Sequence, residues 1–217
     1  MIRLATLNQI LACVSTISLV APCIAAPAPT ASRERAVQIL DRELHKASGW
    51  VQIHAADALL DHGMTREVRA VFSPMSEHPP SACCIGVWRV MARAAAARQS
   101  RAGFVEKIRK VMLDAKATNR LEAAESLAKL GASIPSDRDA LIQWLDTANE
   151  AIAPYPQWLL VLSSTGRQRA TAEASLADLL NSDNPLARLR AAFALGRIKS
   201  LSSESFVKLC DRLKREP

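Results

Sequence analysis

Between residues 184 and 200 the chain reads NPLARLRAAFALGRIKS, and its apolar positions fall on two arcs of a helix rather than one. At about 100° per residue, Ala191, Leu195 and Ile198 share one side, while Leu186, Leu189, Phe193 and Gly196 share the opposite side. Two polar rows, Arg188 with Lys199 and Arg190 with Arg197, separate the arcs. A helix at the edge of a globule needs one apolar face. A helix held between neighbours in a stack needs two, and that is the expectation here.

The same pattern recurs along the chain. Ala55-Ala56-x-x-Leu59, Ala123-Ala124-x-x-Leu127 and Ala191-Ala192-x-x-Leu195 place their leucines in steps of 68 residues (127 − 59 and 195 − 127), twice a period of 34. A further copy belongs near the middle of each gap. PQWLLVLSSTG supplies Leu162 in one, and IGVWRVMARAAA supplies a looser match around Met91 to Arg93 in the other. An amphipathic segment precedes each copy, at residues 33–47, 65–72, 103–116, 139–152 and 171–182, and residues 201–216 form one more helix. Gly63, Gly131 and Gly166 fall where a helix end takes a left-handed residue, and Pro135, Pro154 and Pro185 fall where helices start. The pattern predicts an all-α fold: a right-handed α-solenoid of about five antiparallel helix pairs with a C-terminal capping helix.

Composition agrees. The chain is 49% hydrophobic with only seven glycines and few aromatic residues, which favours closely packed helices over sheets. At 217 residues it is long enough for one ordinary domain.

The N-terminus reads differently. Arg3, an apolar run to Ala21, and small residues at Cys23 and Ala25 have the order of a signal peptide, so residues 1–25 are expected to be removed, residues 26–32 to be an Ala/Pro-rich linker and residues 33–217 to be the repeat domain. Export to the periplasm or beyond follows, with membrane tethering if the leader is retained or Cys23 is lipidated. No transmembrane helix is expected in the mature chain. Loss of Arg3 takes the formal charge from +7 to +6, which suits anionic polymers or lipid headgroups as contacts of an exported protein better than nucleic acid.

The residues Asp183, Asn184, Pro185, Arg188, Ala191, Ala192, Ala194, Leu195 and Gly196 carry a D-N-P-x-x-R-x-x-A-A-x-A-L-G run that resembles the second helix of a HEAT-like repeat. The resemblance covers residues 33–216 and is strongest in three of the units. It implies structural roles for Asp183, Arg188 and Arg120, as rungs between neighbouring repeats. Tetratricopeptide repeats share the period, but their Trp, Leu-Gly and Tyr signature is missing. Trp50, Val51, Ile53, His54, Ala55 and Ala56, with Ile85 to Arg89, are similar to HEAT-type modules of exported bacterial proteins.

Aligned on the repeated leucine, two slots are always polar. Five residues before it stand His54, Glu122, Gln157 and Arg190, and two residues after it stand Asp61, Lys129, Ser164 and Arg197. Slots seven apart share a helix face, so these residues form the expected contact stripe for a protein partner. An alternative is polyanion or anionic-membrane binding through Arg89, Arg93, Arg167 and Arg169, with Arg190 and Arg197. His54, Asp57 and Asp61 have helical spacing, yet no His-Glu-x-x-His run accompanies them, and no metal or cofactor is expected. Cys83, Cys84 and Cys210 read as unpaired thiols, and Trp50, Trp88, Trp144 and Trp158 as wedges between helices. No nucleophile elbow or phosphate loop is present, so the expected function is non-enzymatic.

Overall fold

The computed structural model describes residues 30–215, so the expected leader at residues 1–25 lies outside the described residues. The chain divides into two compact units, Met1–Ala36 and Val37–Pro217. Within the first, the described residues 30–36 begin a helix.

Every regular element among the described residues is helical. The α-helices are α1 (Thr30–Lys46), α2 (Gly49–Asp61), α3 (Thr65–Phe72), α4 (Cys84–Ala94), α5 (Arg98–Leu113) and α6 (Arg120–Lys129). They continue with α7 (Arg138–Thr147), α8 (Pro154–Ser163), α9 (Gly166–Asp178), α10 (Pro185–Leu195) and α11 (Ser203–Arg215). None is long and apolar enough to cross a membrane.

The even-numbered helices touch in succession: α2 lies against α4, α4 against α6, α6 against α8 and α8 against α10. The odd-numbered helices pack on them, α3 and α5 on α4, α7 and α9 on α8. The repeated alanines make this approach possible. Ala56, Ala123, Ala124 and Ala191 are fully buried beside Leu59, Leu127 and Leu195, because a small side chain lets a neighbouring helix come close while the leucine fills the gap. Gly86 in α4 carries this furthest, since a methyl group there would lie 2.5 Å from Ile53 Cδ1 and 3.0 Å from Trp50 Cζ3 of α2.

Helix ends follow the punctuation in the sequence. After α2 and α6, left-handed Gly63 and Gly131 are followed by backbone bonds from Met64 N–H to Leu59 O and from Ala132 N–H to Leu127 O, both the wide closure of a Schellman turn. Gly166 is also left-handed, but it opens α9 instead of closing α8, whose last residue is Ser163.

A second device repeats at the odd-numbered helices. Arg69 of α3 donates to the carbonyl of Ala94. Arg101 of α5 donates to Leu130 O at 2.6 Å, and Arg169 of α9 to Ser200 O at 3.0 Å. Each arginine thus satisfies a carbonyl at or beyond the end of the even-numbered helix that precedes or follows it, where the backbone has run out of helical partners. Side-chain pairs also join the odd-numbered elements: Arg109 of α5 with Asp137 ahead of α7, Arg138 with Gln168 at 2.7 Å, and Lys208 with Asp178 at 3.1 Å.

The core falls into two clusters. One joins α1 to α4 around Leu44, Ile53, Leu59, Phe72 and Val90. The other runs from α4 to α11 around Ile108, Leu127, Leu159, Leu176 and Leu195. The expected second packed arc of α10 does not form: Leu186 is 42% and Leu189 67% exposed, with only Phe193 half-buried. Among the described residues, α11 follows α10 and leaves these two leucines exposed.

Of the expected rungs, Arg188 donates to Ser182 O and Asp183 O within its own helix entry. Arg120 bridges farther, donating to Met112 O at 2.9 Å and lying 3.9 Å over the Trp144 ring. Trp144 and Trp158 are buried and wedge between helices, and all three cysteines among the described residues are free.

Candidate functional site

Along the succession α2, α4, α6, α8 and α10, polar and aromatic side chains of neighbouring helices meet in a linked band. It begins on α2, where the Trp50 ring leans on exposed His54 with centroids 5.9 Å apart. One and two turns on, Asp57 and Asp61 meet α4. Asp57 accepts from Arg89 Nη2 at 2.6 Å and from Arg93 Nη1 at 2.9 Å, and Asp61 accepts from Arg93 Nη2 at 2.5 Å. The remaining fork of Arg89 donates to Ser126 Oγ of α6 at 2.9 Å. Three helices are therefore stitched through one guanidinium that is 2% exposed.

Continuing along α6, Lys129 pairs with Glu125 at 2.6 Å and sits 5.3 Å from the Phe193 ring of α10. Arg197 approaches the same ring at 5.2 Å, and Arg190 lies 5.3 Å over Tyr155 of α8 while donating to Ala151 O at 2.5 Å. Burial, reinforced by the negative charge of Glu125, pushes the Tyr155 hydroxyl up to about 12, with Arg190 opposing. Tyr155 stays a neutral phenol under ordinary conditions, able to donate as well as accept.

Glu122 is half-buried on α6. Burial first, and then the Glu125 carboxylate, raise its carboxyl above the ordinary value, with Arg89 as a partial offset.

The band gathers six of the expected stripe residues: His54, Asp61, Glu122, Lys129, Arg190 and Arg197. Two others are withdrawn from it by burial. Gln157 is 7% exposed and spends its amide on Ala172 O at 2.9 Å, tying α8 to α9. Ser164 is 5% exposed, and its hydroxyl is closed off without a partner.

The arginine set of the polyanion alternative is dispersed. Arg89 is interior, because the repeat register turns it toward Asp57 and Ser126, and it offers nothing to a polymer. Arg93 is paired with Asp57 and Asp61, Arg169 binds the Ser200 carbonyl, Arg167 is exposed on α9, and Arg190 and Arg197 lie in the band.

Participants outside the slot alignment include Asp57, Glu125, Ser126, Tyr155 and Phe193. Asp57 had a visible signal, as a carboxylate one turn from His54 and Asp61. Tyr155 is the sole tyrosine and stands before both slots of its copy of the repeat, where the alignment does not select it.

No protein-family model matches this chain, and comparison with curated proteins finds no match either.

Proposed function

We propose that this protein is a non-enzymatic scaffold built from HEAT-like helix pairs, a solenoid whose even-numbered helices present the band from His54 to Arg197 to a partner protein. The observation that carries this reading is the linking of polar and aromatic side chains from five helices into one surface, with Arg89 holding its first half together. A rigid, mixed-charge surface with aromatic residues among its cations has the composition of a protein-binding face. Export remains part of the proposal, resting on the leader-like N-terminus.

A photo-crosslinking side chain placed at position 54 or 190 tests it against the same group at Arg66 or Lys110, which are exposed on the odd-numbered helices. The expected result is one cross-linked partner from the band positions alone, in an extract of the envelope fraction. Equal cross-linking from both sets, or cross-linking only from the odd-numbered helices, removes the band as the contact face.

A further inference from the structure

At the far end of the band, where α6, α8 and α10 finish, a cleft of about 520 Å³ opens between their C-terminal turns and the start of α9. Four cations line it, Lys129, Arg169, Arg197 and Lys199, and no aspartate or glutamate does. Lys129 has Glu125 as its partner, and Arg169 lies close enough to Glu173 to lower that carboxyl. Arg197 and Lys199 are exposed, and neither has a carboxylate partner among the described residues. Two positive charges are left over on one side of a small concavity.

Apart from Ser200, the rest of the wall is apolar. Leu130, Leu162 and Ile198 contribute to it, together with Trp158, which is 2% exposed. The Trp158 indole N–H is buried and has no acceptor. That N–H is itself closed off, so Trp158 presents the carbon part of its ring to the cleft. The cleft volume lies in the range of small-molecule sites, which combine a largely apolar lining with a few convergent polar groups.

We infer that this cleft is a binding site for a small organic anion with an apolar body, whose acidic head meets Arg197 and Lys199 and whose ring or chain lies against Trp158 and Leu162. The proposal does not depend on the scaffold reading. It also differs from polyanion binding, since it needs one acidic head and an apolar body where a polymer needs an extended basic track. Arg197 supplies a planar fork suited to two oxygens of a phosphate or carboxylate, and Lys199 a mobile point charge.

Titration of the full chain with phenyl phosphate, read by calorimetry and by tryptophan emission, tests it, with inorganic phosphate and benzyl alcohol as the separate head and body. Saturable binding of phenyl phosphate is expected, at least about tenfold tighter than inorganic phosphate, with no saturable binding of benzyl alcohol. The Arg197→Ala/Lys199→Ala double variant changes two exposed side chains and is expected to fold; it should weaken binding by about tenfold or more. An Arg66→Ala/Lys110→Ala control should not change it. Absence of saturable binding, equal affinity for inorganic phosphate, or an unchanged affinity in the double variant would each overturn the proposal.

Discussion

Glu122 and Asp137 are both carboxylates near an arginine, and they respond to pH with opposite sign. Hydrogen bonds from Arg109 hold the Asp137 carboxyl below its ordinary value despite burial, so its contribution is present at neutral pH and is lost as pH falls through the folded value. Glu122 is shifted upward by burial and by Glu125, so the folded chain binds its proton more readily than the unfolded chain. Stability from that site is fully present below the unfolded value and is lost as pH rises through the folded one. At pH 7 the ionised side chain therefore costs stability. Thermal melts should show Glu122→Gln melting higher than the parent at pH 7, with the gap closing below about pH 4, where glutamate is protonated in both states. A lower melting temperature at pH 7 would mean that attraction to Arg89 outweighs desolvation. The band would then be a stability device instead of a contact surface.

At the scale of single elements, α10 shows how far a helix pattern reaches. Its entry is specified locally: Asn184 Oδ1 accepts from Leu186 N–H at 3.0 Å and from Ala187 N–H at 3.3 Å, and Pro185 occupies the first turn, where its missing N–H has no cost. Its buried side holds Ala187 and Ala194 together with the first expected arc, Ala191, Leu195 and Ile198, whereas Leu189, on the second arc also expected to pack, faces solvent. Asn184→Ala should therefore destabilise by about 1 kcal/mol. Leu189→Glu should stay within about 0.5 kcal/mol of the parent, as surface substitutions do. Urea unfolding midpoints of the two variants check both. A large loss for Leu189→Glu would indicate that another surface covers this face in solution.

Across the second unit, stability is divided between two core clusters that share α4. Ile85 and Ala92 of α4 face one cluster and Val87, Val90 and Met91 the other, and Phe104 of α5 packs against both. Arrays in which each element touches only its neighbours lose structure by region, since a defect is felt mainly across the adjoining contacts. Phe72 is fully buried in the α1–α4 cluster, and its replacement by Ala removes about 3–5 kcal/mol of packing. Hydrogen exchange of Phe72→Ala should show protection falling in α2 and α3 while α8 to α10 keep most of theirs. A uniform loss over all helices would show instead that the unit unfolds as one body.

The helical class, most helix starts and stops, and the buried Ala-Ala-x-x-Leu faces were legible in the sequence alone, because periodicity, proline and glycine act within a few residues of where they stand. The polar slots were legible for the same reason. Which polar residues face outward was not: Gln157 in a slot and Arg89 outside the slots are as polar as Arg190, and only the approach of α9 to α8, and of α2 and α6 to α4, turns them inward. The open arc of α10 and the cleft beside Trp158 likewise depend on which helix ends meet. Residue type and spacing determine what a helix offers; the neighbour that tertiary packing brings to it determines which of those side chains become core, rung or surface.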